Sequence, residues 1–200
     1  MAVLHSLRVS DPPDLWRDLG FRVDEGACNI DGVVIELGSP GEGVTAWDAG
    51  GMGPLDGLPA AGPPSSPFPP PATHPNGVDC LDHVVITTPD LDRTVAAFEA
   101  TGTALRRVRQ IGTPENPLSQ AFFKLGSVVV EVVGPPGRAA DGPARFYGLA
   151  FTVTDLDATG AFLGARLRPP KDAVQPGRRI ATLDRAAGST VPMAFMSRRT

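Results

Sequence analysis

Cysteine is nearly absent from this 200-residue chain: Cys28 and Cys80 are its only two. Two are too few for a disulfide framework, and neither sits in a CxxC or Cys/His zinc spacing. Both read as free thiols in a reducing compartment. Long apolar runs are missing as well. No stretch approaches the roughly 18 to 20 residues that span a bilayer, and no basic segment followed by an apolar one opens the chain. Neither secretion nor membrane insertion is expected, and the cytoplasm is the expected location. A surplus of charge is also lacking: the formal net charge is −4, with arginines scattered along the chain. That excludes the one-sided basic footprint of a nucleic-acid binder. Arg106, Arg107 and Arg109 form one local cluster and Arg178 and Arg179 another, each read as a solvated strand edge. What the chain has is enough apolar material for a core, 42% of its residues.

Proline and glycine are plentiful, and they concentrate between Gly51 and Asp79. A stretch so poor in backbone donors is expected to run extended, as a connector. His74, within it, is expected to be solvated. The connector divides the chain into residues 1–50, 51–79 and 80–200.

Beyond it, Leu81 to Thr88 is a β-branched run that ends at Pro89. Asp90 can cap a helix carrying Leu91, Val95 and Phe98 on one face. LRRVRQI, QAFFKLG and SVVVEVVG come next, the last two meeting at Gly126-Ser127 as a hairpin does, which gives the order βαβββ. The order returns after Ala144: Leu149 to Thr154 reads as a strand, Asp155 caps a helix with Leu156 and Leu163, and RRIATLDR and STVPMAFMS supply two late strands. TTPDLD at Thr87 is echoed by TVTDLD at Thr152, so the two units, 80–137 and 144–198, read as an internal repeat. A shorter, degenerate copy fits residues 1–50, with LHSLRVS, a helix through Leu15, Trp16 and Leu19, then FRVDEG, ACNID and VVIELGSP. VTAWDAG lies outside it.

A repeated βαβββ unit that opens with LDHVVI, continues with PDLD and closes with VVVEVV resembles the vicinal-oxygen-chelate superfamily of glyoxalases and bleomycin-resistance proteins. The resemblance covers about Cys80 to Ser197. It implies an α+β fold in which paired units form a curved mixed sheet around a cavity, with helices on the outer face. In metal-dependent members a His from the first strand and a Glu from the last strand of each unit hold one divalent ion that chelates two neighbouring substrate oxygens.

Strand parity places residues on this frame. Val84 and Ile86 pack beneath the helix, so His83, Val85 and Thr87 point into the cavity, as does Glu131. His83 and Glu131 are therefore the candidate catalytic pair and the candidate ligands of Zn²⁺, Ni²⁺, Mn²⁺ or Fe²⁺. In the last unit Gly148 takes the place of His83 and Met193 that of Glu131, so half of the ligand set is missing. A full set would need His5 and Glu36 of the first unit. Gln120 and Phe122, with Tyr147, Gly148, Ala150 and Met193, are the candidate ligand-binding residues, and Pro169 to Gly177 the candidate rim.

These residues support two function classes. One is a metal-free bacterial binding protein, like the drug-resistance members, that holds an apolar or aromatic small molecule. The other is a metal-dependent lyase, isomerase or dioxygenase. The expected partner is a small molecule, with no nucleic acid or membrane, and the class leaves room for a homodimer. The cofactor is none or one divalent metal.

Overall fold

The computed structural model describes residues 2–62, 69–137 and 140–199. The first unit runs β1 (Ser6–Val9), α1 (Pro13–Asp18), β2 (Ala27–Ile30), β3 (Val33–Leu37) and β4 (Val44–Asp48). The second is β5 (Val78–Thr87), α2 (Leu91–Ala100), β6 (Arg107–Gly112), β7 (Pro117–Leu125) and β8 (Val128–Gly134). The third is β9 (Arg145–Val153), α3 (Leu156–Leu163), β10 (Lys171–Asp172), β11 (Arg179–Thr182) and β12 (Met193–Ser197).

Units two and three share one curved eight-stranded sheet of order β10-β11-β12-β9-β5-β8-β7-β6. Its centre is the antiparallel pair β5 and β9. Each unit closes on itself through a parallel pair, β5 with β8 and β9 with β12. Both helices begin where the sequence places a cap: Asp90 accepts from the Arg93 amide, and Asp155 from those of Asp157 and Ala158. Their apolar faces cover one side of the sheet. Val84, Ile86, Phe98, Phe151 and Val153 are fully buried there, and Leu91, Leu149 and Leu156 nearly so.

The first unit forms its own four-stranded sheet, β2-β3-β1-β4. β1 is parallel to β3 and antiparallel to β4, which repeats the relation of β5 to β8 and β9. VTAWDAG thus supplies the strand that a following unit would otherwise provide. The strand expected at FRVDEG is absent. Glu25 (φ 45°) and Gly26 (φ 79°) form a two-residue turn closed by the Asp24–Ala27 bridge, and such positive angles end a strand.

This small sheet packs on the helix-bearing side of the large one. Phe21 lies 5.3 Å from Phe151 and Trp47 6.1 Å from Phe98 between ring centroids, and Phe98 stacks on Phe123 at 4.3 Å. One apolar core therefore runs through all three units. A buried carboxylate pins the arrangement: Asp11 accepts from the Thr190 amide (2.8 Å), the Thr190 hydroxyl (2.6 Å), the Ser189 hydroxyl (2.6 Å) and the Trp16 indole (3.2 Å).

Part of the proline-rich segment departs from the expected extended run. Leu55 and Leu58 are buried around a turn, Ala60 bridges to Trp47, and Asp56 binds the Arg93 guanidinium at 2.6 Å. The central residues of the segment, 63–68, lie outside the described ones. His74 is buried rather than solvated. Its Nδ1 accepts from the Arg22 amide at 3.0 Å, and its ring meets Phe21 edge-on.

Burial of Phe151 among Trp16, Phe21 and Phe195 predicts that Phe151→Ala costs about 3 to 5 kcal/mol in urea unfolding. Burial also lowers the His74 pKa below its ordinary 6.5. The unfolded chain then takes up a proton near that pH while the folded one does not, so stability falls as the pH drops below about 6.5. Urea midpoints between pH 7.5 and 5 should show this slope, and His74→Gln, which keeps an acceptor for Arg22, should flatten it.

Candidate functional site

The helix-free face of the large sheet holds a cavity of about 380 Å³, lined by His83, Val85, Arg107, Arg109, Gln120, Phe122, Glu131, Ile180 and Met196 and walled by residues 171–175. Alternation along the strands puts most of these side chains on one face. One irregularity adds another. The β5–β9 register shifts between Leu81, opposite Phe151, and His83, opposite Ala150, so Asp82 is an extra residue. A bulge of this kind breaks the alternation. Asp82 and His83, neighbours in sequence, thereby meet side chain to side chain, Oδ1 to Nδ1, at 2.9 Å.

From this point a row of polar side chains crosses the sheet. The other oxygen of Asp82 accepts from Arg178 Nη2 (2.7 Å) and the Thr152 hydroxyl (2.8 Å). His83 Nε2 stands 3.8 Å from Glu131 Oε2. Glu131 Oε1 accepts from the Gln120 amide, whose own oxygen accepts from Arg109. The row reads Arg178, Asp82, His83, Glu131, Gln120, Arg109, with a guanidinium at each end.

Burial alone would raise the Asp82 pKa, but hydrogen bonds from His83, Arg178 and Thr152 outweigh it and hold the carboxyl well below the usual range. An ionised carboxylate only accepts, so His83 Nδ1 carries hydrogen. In the neutral ring, Nε2 is then the bare nitrogen beside Glu131.

Arg178 anchors the rim. It is 8% exposed, and besides Asp82 it donates to the Gln175 side chain, the Ser197 carbonyl and Thr152. The loop's own backbone closes through Ala173 to Arg178 and Arg178 to Gln175.

His83, Glu131, Gln120 and Phe122 are brought together as the sequence suggests; the other candidates are not. Tyr147 is 54% exposed and faces a separate groove with Glu42 and Thr190. Gly148 pairs with Val85 and lies against the Pro192 carbonyl, where a Cβ would come within 2.4 Å of the oxygen. Ala150 pairs with His83 but lies outside the cavity lining. Met193 is buried in the core, because the residue in register with Ala150 is Ala194, one position later. A one-residue offset turns a side chain to the opposite face.

His5 shows the same offset. Glu36 pairs with Arg8 and Val34 with Ser6, so Ser6, not His5, occupies the place of His83 in the first unit. His5 is exposed, and Glu36 lies 3.6 Å from Arg8, both on the small sheet. Of the arginines expected at a solvated strand edge, Arg106 and Arg107 are exposed and β6 is an edge strand, but Arg107 also lies 4.8 Å over the Phe122 ring and, like Arg109, lines the cavity.

This donor set does not fit a divalent ion. His83 and Glu131 supply two ligands, the matching positions of the third unit are Gly148 and Ala194, and Gln120 has turned its oxygen to Arg109 and its nitrogen to Glu131. Among the described residues no three His, Cys, Asp or Glu side chains converge as an ion site.

Residues 82–181 match the family described as the Glyoxalase/Bleomycin resistance protein/Dioxygenase superfamily. Among solved structures, the chain is similar to methylmalonyl-CoA epimerase from Mycobacterium tuberculosis, with 20% identity over 60% of this chain and 89% of that one and a TM-score of 0.48. A second methylmalonyl-CoA epimerase matches with 22% identity over 62% and 97% and a TM-score of 0.48. A hypothetical protein from Bacillus halodurans C-125 matches with 16% identity over 60% and 94% and a TM-score of 0.46. No curated protein matches in sequence.

Removing Arg178 leaves the Asp82 carboxylate, 16% exposed, without its guanidinium. Arg178→Ala should destabilise the protein by roughly 3 kcal/mol, the scale for breaking a largely buried ion pair, measured by urea unfolding at neutral pH.

Proposed function

Since the chain belongs to the Glyoxalase/Bleomycin resistance protein/Dioxygenase superfamily, we propose that it binds a small molecule with an apolar or aromatic body on the concave face of its large sheet, without a resident metal ion. The observation that carries this reading is the composition of the 380 Å³ cavity. Val85, Phe122, Ile180 and Met196 offer it an apolar wall, while His83, Gln120 and Glu131 supply polar groups along one side. Such a mixture suits a ligand whose ring lies on Phe122 and whose polar end meets the row of side chains.

Arg107 over Phe122 and Arg109 beside Gln120 add positive charge to the lining, set against Glu131 and Asp172. A polar end with acceptor oxygens is the better match, since arginine only donates. The residues 171–175 close the cavity from the third unit, so the ligand would touch both halves of the sheet. Among the described residues no helix is long and apolar enough to cross a membrane.

Protein prepared without a metal-affinity tag should carry well under one equivalent of Zn²⁺, Ni²⁺, Mn²⁺ or Fe²⁺. In thermal-shift and calorimetric titrations against a panel of substituted phenols and aromatic acids, at least one class should bind. Phe122→Ala should then weaken it by about tenfold or more, as losing a buried aromatic contact implies. His83→Ala should also weaken it while leaving the melting temperature nearly unchanged. A stoichiometric tight metal would sink the metal-free reading, and an unaltered affinity in Phe122→Ala would remove the ligand from this face.

A further inference from the structure

We propose that the polar row is a metal-free proton-transfer site, with His83 as the base, Asp82 as its positioning residue and Glu131 as the group that stabilises the charged ring. The inference rests on the ligand-binding reading and adds chemistry to it. It comes from a disagreement: the residues that would hold an ion in this family instead bond to one another and to arginines.

The geometry has the parts that general-base catalysis requires. Asp82 fixes Nδ1–H at 2.9 Å, which orients the ring and leaves Nε2 facing the cavity. Asp82 is itself held by Arg178 and Thr152, so it does not swing. Glu131, 3.8 Å from Nε2, lies where a positive charge on the ring would form. Arg107 and Arg109 line the same cavity, on the side of Phe122 and Gln120.

The substrate class is a carbon acid: an apolar or aromatic carbonyl compound with a C–H beside the carbonyl. Nε2 takes that proton, so the C–H bond breaks and an N–H bond forms. The electron pair moves onto the carbonyl oxygen as an enolate, whose negative charge the arginines face, and the imidazolium sits between two carboxylates. Return of the proton to the same carbon gives exchange with solvent, and return to a neighbouring conjugated carbon gives an isomer. No oxidant, reductant or third reactant is needed.

The probe is 5-nitrobenzisoxazole, an aromatic carbon acid. A base removes the C3–H proton of its isoxazole ring, the N–O bond breaks, C3 and the nitrogen become the nitrile, and 2-cyano-4-nitrophenolate forms as a coloured product. With EDTA present throughout, wild-type protein should turn the probe over about a hundredfold faster than His83→Gln. Glu131→Gln should fall between them. Asp82→Asn should lower kcat with KM nearly unchanged, and ¹⁵N spectra should show the His83 proton moving from Nδ1 to Nε2, a change that mere loosening of the fold does not produce. Product affinity is titrated in parallel. Wild-type rates in His83→Gln, or turnover that disappears with EDTA, overturn the proposal. Product binding with no turnover overturns it alone, whereas no binding of the product or of any member of the phenol and aromatic-acid panel overturns the ligand-binding reading and this one together.

Discussion

Two strands from different repeats, β5 and β9, run antiparallel down the middle of the large sheet, and one of the extra residues in that seam, Asp82, governs both the polar row and the rim. A regular ladder would send Asp82 to the helix side, where an ionised carboxylate has no partner and costs several kcal/mol. The bulge keeps it on the open face beside His83. From there its two oxygens serve different elements: one fixes the ring, the other fastens the loop that carries Arg178. The seam thus joins the halves of the sheet, orients the histidine and ties down the rim through a single side chain.

Opposite groups are paired along the row. Two guanidiniums at its ends face two carboxylates in its interior, and His83 and Gln120 alternate with them. A partly buried set of charges is tolerated when each finds an opposite neighbour and its remaining hydrogen-bonding positions are filled. Here every link except the 3.8 Å gap between His83 and Glu131 is a direct hydrogen bond. That gap is the place in the row where a ligand atom or a moving proton meets least resistance.

Much of this architecture was legible in the sequence because it arises from periodicity. The Val84/Ile86 alternation, the Asp90 and Asp155 caps and the echo of TTPDLD in TVTDLD were enough to place the strands, helices and repeat. Parity also assigned His83 and Glu131 to one face, and the polar content of their set, not parity, assigned Gln120 and Phe122 to it. What failed was register. Met193 and His5 each missed by one position, since a count from a turn or a proline cannot see how many residues that turn consumes. Asp82 was invisible for the same reason: alternation assigns it to the face opposite His83, and no residue type announces a bulge in advance. His74 misled differently. Its proline-rich surroundings suggest solvent, yet a segment without ladder partners can still be covered when the loop between α1 and β2 offers Phe21 and a free amide at Arg22.

The grip of Thr190 and Ser189 on Asp11 joins points 179 and 178 residues apart in the chain. On the ribosome the N-terminal segment emerges long before its partners do. Until residues 189 and 190 leave the exit tunnel, Asp11 lacks three of the four bonds that satisfy it, and Phe21 lacks Phe195 beside it. Contacts that span so much of a chain form late and slowly. Closure of the first segment onto the last is therefore expected late in folding, with the newborn chain expected to need chaperones most in the interval before it.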